Sequence, residues 1–317
     1  MPEILERRIP ESLDRQRFDR ALAELFPDYS RNQLKNWIER GRARLDGKVV
    51  RPRLAVHAGQ TACLEPEPDP QDETVQPQAL ALDVRFADPD LIVLDKPPGL
   101  VVHPGAGNPD GTVENALLHH FPEVAGVPRH GLVHRLDKDT SGLLLVARSS
   151  RAHQALTAAL AERQIQRRYR ALVVGRLPAG GSVDAPIARH PVQRKRMAVR
   201  ENGRPAITHY RVRERFARHS LLDVSLETGR THQIRVHMAH LRYPLVGDPV
   251  YGRRPVFPPG AAPELRTALG DFRRQALHAA ELRLSHPVSG EPLEVHSDLP
   301  EDFAALVALL RKEAGDD

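Results

Sequence analysis

Between Glu65 and Gln78 the chain reads EPEPDPQDETVQPQ, with five acids and four prolines in fourteen residues. Proline withholds the backbone N–H that helices and sheets need, and closely spaced like charges repel. Such a stretch builds no core and is expected to run extended and solvated. It divides the 317 residues into an N-terminal part (1–64) and a C-terminal part (80–317), joined by an acidic, proline-rich linker over 65–79. The larger part is long enough to bury a sizeable core, the smaller one only that of a module. The linker's negative charge also discourages it from lying along a polyanion.

In the N-terminal part, Phe18, Ala21, Leu22, Leu25 and Phe26 recur at helical spacing and predict an amphipathic helix stopped by Pro27. Ser30 with Gln33 three residues on reads as a capping box for a second helix. Its apolar stripe is Leu34, Trp37 and Ile38, and Gly41 ends it. Arg31 and Lys35 share its other face. In the segment Arg42–Val50, Asp46-Gly47 predicts a hairpin turn. Arg42, Arg44 and Lys48 lie on that hairpin, so one helix and one hairpin concentrate positive charge. Two helices followed by a basic hairpin resemble the S4 RNA-binding module. The plainer alternative, a helical cap with a solvated charged face, accounts less well for so many cations in so short a span.

The formal charge of +5 comes from 46 Lys and Arg against 41 acids. The excess matters because it is segregated: cations cluster near residues 31–53, 163–170 and 189–218, acids in the linker and at the C-terminus. Clustered positive charge is the footprint of a polyanion partner, most often nucleic acid. Aromatic residues make up only 4% of the chain, which argues against binding through rows of stacking rings. The one cysteine, Cys63, excludes an intramolecular disulfide and a cysteine-based metal cage. The charged N-terminus MPEILERR does not read as a signal peptide, and no apolar run approaches a membrane span. A cytoplasmic protein is expected. Sixteen histidines raise a metal reading, but His119-His120 and the pair His237 and His240 do not make an HExxH motif, and no metal site is expected.

The C-terminal part opens with strand-like runs at Val84–Phe86 and Leu91–Asp95. His103–Gly111 is a glycine-rich loop without the lysine-serine pair of a phosphate loop, and Thr112 caps a short helix through Leu118. A helix over Ser150–Arg163, a strand at Tyr169–Gly175 and two antiparallel strands over 208–228 follow. Thr231 is expected to cap a helix with Ile234, Met238 and Leu241 inward. A hairpin over Leu277–His296 and a helix from Pro300 complete the chain. Strands outnumber helices and no βαβ rhythm appears, so the fold class is α+β with a largely antiparallel mixed sheet and flanking helices.

Within it, His134–Gly142 reads HRLDKDTSG between the apolar runs 131–133 and 143–147, predicting strand, loop, strand with the loop at one edge of a sheet. Asp137 has cations before and after it and should stay ionised, able to act as a nucleophile or proton acceptor. On spacing alone, a charged turn with a local aspartate cap is an equal alternative.

HRLDKDTSG followed by GLLLVA resembles the signature of the RluA family of RNA pseudouridine synthases. Arg168–Gly175 (RYRALVVG), Thr228–His237 (TGRTHQIRVH) and Leu245–Tyr251 (LVGDPVY) fit the same family in the same order. The resemblance runs from about Leu13 to the C-terminal helix. Val101–Thr112 and His190-Pro191, with the basic run after it, resemble the members that act on large-subunit ribosomal RNA. It implies isomerisation of uridine to pseudouridine: the N1–C1′ bond breaks, the uracil turns in place, and C5 bonds to C1′. No cofactor is needed for an isomerisation.

The resemblance also implies roles. Asp137 is the essential carboxylate, attacking C1′ or taking the C2′ proton. Arg235 pairs with it, and Tyr169 stacks on the target uracil with Ile234 as the wall opposite. Arg135 fills the space left by the flipped nucleotide; apart from the resemblance, His134 is expected to position the loop and not to transfer a proton. Arg230 and His232, at the start of their helix, are candidates for phosphate contact. Arg194, Lys195 and Arg196 lie in a basic run expected to be a flexible loop clamping RNA backbone. A monomer is expected, with ribosomal RNA as partner. Two rivals stand beside this reading: a non-catalytic RNA-binding assembly factor, and a glycosylase that releases free uracil. A synthase acting on another rRNA site or on tRNA is a third.

Overall fold

The computed structural model describes residues 4–27, 29, 31–66, 75–105, 107–193, 196–252 and 254–315, without the side chains of 31–33. The chain divides into two units between residues 74 and 75. In the first, β1 (Leu5–Arg8) precedes α1 (Phe18–Leu25) and α2 (Arg31–Glu39), and β2 (Ala43–Leu45) and β3 (Thr61–Leu64) complete a sheet in the order β1-β3-β2. The apolar stripes read from the sequence are the core: Phe18, Ala21, Leu22, Leu34, Trp37 and Ile38 are buried together. Gly41 leaves α2 at φ 75°. The cap expected at Ser30 and Gln33 lies outside the described residues.

Asp46 (φ 49°) and Gly47 (φ 75°) do form a two-residue turn, closed by reciprocal bonds between Leu45 and Lys48. The strand leading into it, however, pairs with β3 and not with the residues after the turn. The Asp46 carboxylate accepts the Thr61 N–H at 2.8 Å and the Asp46 N–H bonds the Thr61 carbonyl, drawing β2 toward the later segment. The expected hairpin is thus reduced to its turn.

The second unit holds β4 (Asp83–Ala87), β5 (Leu91–Lys96), α3 (Val113–His120), β6 (Ser141–Ala147), α4 (Ser150–Ala161) and β7 (Gln166–Val174). It continues through β8 (Gly181–Asp184), β9 (Ile187–Arg189), β10 (Met197–Val199), β11 (Ile207–Arg215), β12 (His219–Leu226) and α5 (Gln233–His240). α6 (Pro263–Asp271), β13 (Leu277–Ser285), β14 (Pro292–His296) and α7 (Glu301–Gly315) end it. One sheet runs β4-β5-β6-β13-β7-β12-β11-β8, with β14 paired to β13. Every pairing in it is antiparallel except β6 with β13, which is parallel. The fold is α+β with a mixed, mainly antiparallel sheet. Every residue of β6 is buried, as a central strand covered on both faces requires.

Several expectations need correction. The run before HRLDKDTSG is not a strand: residues 128–131 form a helical turn with Arg129 and His130 left-handed, and one bridge joins Leu132 to Val146. The motif loop lies at the start of a central strand, not at a sheet edge, because β13 covers β6 on its other side. The segment carrying the basic run connects β9 to β10, which pair antiparallel, and Arg194 and Lys195 within it lie outside the described residues. At its two ends the stretch 65–79 makes contacts. Glu65 pairs with Arg42 in the first unit, while the Gln76 carbonyl accepts from Asn115 Nδ2 and the Gln78 N–H bonds the Asn115 carbonyl in the second. β1, β8 and α6 carried no clear period in the sequence. Among the described residues no helix is long and apolar enough to cross a membrane.

Candidate active site

Asp137 sits in a tight turn closed by the Thr140 N–H on the Asp137 carbonyl. The turn is pinned along its length. The Lys138 carbonyl accepts the Gly99 N–H and the Lys96 ammonium, Thr140 Oγ1 accepts from Gln275, and Ser141 Oγ bonds His278. Gly142 follows at φ 106°, where a Cβ would stand 2.2 Å from the Ala279 carbonyl oxygen. Only glycine lets β6 approach β13 so closely here. The turn residues of the motif thus serve backbone placement, and the side chain of Asp137 is left to project.

It projects into a cavity of about 310 Å³. Asp137, Tyr169, Ile234, Arg235, Arg135, Arg230 and His232 all line it. Seven residues assigned separately in the sequence therefore converge, from the motif loop, β7, α5 and the turn before α5. Arg235 Nη1 donates to Asp137 Oδ2 at 2.9 Å. Tyr169 and Ile234 are buried, at 6% and 4% exposure. Burial pushes the Tyr169 hydroxyl up from the usual phenol range, aided by the Asp137 charge and opposed by Arg167, so it stays a phenol. His232 precedes α5 in the left-handed region at φ 57°. Thr231 is therefore not the cap that was expected. Gln233 Oε1 instead accepts the Arg230 N–H and the Thr228 hydroxyl, satisfying the turn from inside.

Asp248 has no role in the sequence reading beyond its place in the motif LVGDPVY. Its side chain is fully buried and receives Arg235 Nε at 2.7 Å and Nη2 at 2.9 Å. The same carboxylate accepts the backbone N–H groups of Val250 and Tyr251. A planar guanidinium gripped along one edge can point its remaining nitrogen in only one direction, and here that is Asp137. Burial works against the charge of Arg235, but Asp248 and Asp137 outweigh it and raise its pKa. Burial likewise opposes ionisation of Asp248, and the Arg235 bonds hold its carboxyl below the usual range. Tyr251 lies under Arg235, with the guanidinium carbon 5.2 Å from the ring centroid, and its hydroxyl bonds His232 Nδ1 at 2.9 Å.

Two further groups hold the loop. Lys96 is buried, and its ammonium donates to the carbonyls of Pro97, Leu100 and Lys138 at 2.8–2.9 Å. Burial pushes its pKa down to about 7 against the pull of Asp139 and Asp137. His134 Nε2 accepts the Leu145 N–H at 2.9 Å, so it carries no proton there. Burial, with the nearby Arg167, lowers its pKa to about 3. That geometry fits a loop-positioning role and opposes proton transfer. The signal for Lys96 was present in Lys96-Pro-Pro-Gly99, read only as a turn.

The remaining cationic candidates are dispersed. Lys35 pairs with Glu39, Arg42 with Glu65, and Arg44 Nε donates to the Gly41 carbonyl. Arg44 and Lys48 are exposed. Arg196 packs its guanidinium 5.2 Å from the Tyr251 ring centroid. Arg194, Lys195 and the side chain of Arg31 lie outside the described residues. Among the described residues one trio, Glu281, Glu294 and His296, brings ligand-type atoms within 4.8 Å of one another. None of the three lines the cavity, and Arg283 already faces both carboxylates, which opposes a cation. His237 bonds Thr208 Oγ1 and the Ala185 carbonyl, a structural arrangement.

Comparison with known proteins adds to this geometry. A profile of RNA pseudouridylate synthases matches residues 90–240, and one of S4 domains residues 16–61. The chain is 53% identical to the ribosomal large subunit pseudouridine synthase D of Xanthomonas campestris, over 96% of this chain and 92% of that one. It is 51% identical to the protein of the same name from Pseudomonas aeruginosa, over 99% and 98%. The solved human RNA pseudouridylate synthase domain containing 4 superposes with a TM-score of 0.55 at 26% identity, covering 72% of this chain and 93% of that one.

Proposed function

The chain belongs to the RNA pseudouridylate synthase family, and on that premise we propose how its cavity works. It is an enzyme that isomerises uridine to pseudouridine in large-subunit ribosomal RNA. Asp137 is the catalytic carboxylate, attacking C1′ of the flipped-out nucleotide or taking its C2′ proton. By either route the N1–C1′ bond breaks, the uracil turns between Tyr169 and Ile234, and C5 bonds to C1′ with loss of its proton. Stacking of an extruded base between an aromatic ring and an apolar wall offsets part of the cost of unstacking it. Arg235 aims the carboxylate, Arg135 takes the place of the base in the stack, and Arg230 and His232 hold backbone phosphate. The S4 unit, through Arg31, Lys35, Arg42, Arg44 and Lys48, and the basic run with Arg194, Lys195 and Arg196 add sequence-independent affinity.

The observation that carries this reading is the 2.9 Å bond from Arg235 to Asp137 on the wall of a cavity that also holds Tyr169 and Ile234. The lone Cys63 fits a reducing cytoplasm, and an isomerisation needs no metal. Mapping pseudouridines in large-subunit rRNA from cells with and without the protein tests the function. Specific uridines should remain unmodified when it is absent. An unchanged map, or free uracil released by the purified protein, would contradict the assignment.

A further inference from the structure

Arg167 stands two residues before Tyr169 on β7 and faces the same cavity. It is only 8% exposed, and its Nε is buried with no hydrogen-bond partner. Among the described residues no carboxylate pairs with it. The contrast along the strand is informative. Arg168 and Arg170, which alternation turns to the other face, pair with Glu281 at 3.2 Å and Asp223 at 2.6 Å. The outward arginines are neutralised; the inward one is not.

The cavity gives it no anion either. Arg129, Arg135, Arg167, Arg230 and Arg235 line it, and the only carboxylate among its described lining residues, Asp137, is already bonded to Arg235. Gly229 lies against the guanidinium: a Cβ there would stand 2.9 Å from Arg167 Nη1, so the loop leaves that space to the arginine. A buried cation without a counter-charge is costly, and it persists where a ligand brings the missing charge. RNA offers one anionic group, the phosphodiester, whose paired oxygens match the guanidinium fork. Uracil carbonyls and ribose hydroxyls are neutral.

We propose that Arg167, backed by Gly229, forms an anionic subsite that seats a backbone phosphodiester beside the target uridine. The inference rests on the synthase reading and adds a substrate-anchoring residue to it. Arg167 thereby fixes the sugar relative to Asp137 while Tyr169, on the same strand, holds the base.

The test uses the full-length enzyme and an rRNA fragment containing a mapped target uridine. Each linkage flanking that uridine is replaced in turn by a neutral methylphosphonate. The wild-type enzyme should lose about 10- to 100-fold in kcat/KM at one linkage. Arg167→Met should lose as much on unmodified RNA, more in KM than in kcat, and should be indifferent to the same methylphosphonate. The slope of its binding against salt should fall by about one. Its thermal midpoint should be no lower than wild type, since an unpaired buried charge has been removed. Wild-type kcat/KM in Arg167→Met, losses that multiply independently, or a lowered midpoint accompanying the loss would overturn the subsite alone. A wild-type enzyme silent on that RNA would overturn the synthase reading and the subsite with it.

Discussion

Asp248 shows how one residue sets the direction of another. Its carboxylate is held by two backbone N–H groups of its own turn and grips Arg235 along the Nε–Nη2 edge, leaving Nη1 for Asp137. Replacing one oxygen by an amide removes a charge from a pair that is buried on both sides, which typically costs about 3–5 kcal/mol. Asp248→Asn should therefore unfold at lower denaturant and lose activity mainly in kcat, because the arginine no longer has a fixed aim. Unchanged stability and kcat would remove Asp248 from the account. The convergence of Asp137, Arg235 and Tyr169 was legible through the resemblance of their three short motifs to the RluA family, since spacing alone left a charged turn as an equal alternative. Asp248 and Lys96 were not, since an aspartate before proline and a lysine before Pro-Pro read locally as turn chemistry, and only tertiary packing gives them partners.

At the level of the element, the site is an assembly of strand ends. The motif loop hangs from β6, Tyr169 comes from β7, and α5 is delivered by a left-handed residue that no capping rule anticipates. The helices α1, α2, α3, α4 and α7 were readable from apolar period and caps, while β8 and β9 with β10 are short segments fixed by their neighbours. The motif loop was misplaced at a sheet edge because a strand's neighbours are set by pairing over long separations, here 137 residues from Ser141 to His278. Burial also makes these strands sensitive to acid. His134, bonded to β6, and His219, enclosed in β12, have pKa values lowered by burial to about 3 and about 4. Below about pH 6.5 the unfolded chain takes up protons at both and the folded one does not. Stability is therefore full above that pH and lost as the pH falls toward 4, by up to about 1.4 kcal/mol per unit for each group. Urea unfolding from pH 7.5 to 4.5 should show this decline. A flat profile would mean that neither ring is held neutral.

Over the whole molecule, charge is divided by task. The first unit exposes Arg44 and Lys48, and the second gathers arginines around a cavity with a single carboxylate among its described lining residues. The acidic linker announced two units, and the segregated cations announced a polyanion partner. Neither composition nor periodicity showed that the cavity's charge is so one-sided, because strand alternation sorts Arg167 from Arg168 only once the sheet is formed. The central claim is that one carboxylate, aimed by Arg235, performs the isomerisation. Tritium release from [5-³H]uridine-labelled large-subunit rRNA, measured for wild type and Asp137→Asn at matched RNA occupancy, tests it most directly. The account predicts release by wild type and none by Asp137→Asn, with RNA affinity and folding retained. Release by the variant at a rate near wild type would contradict it.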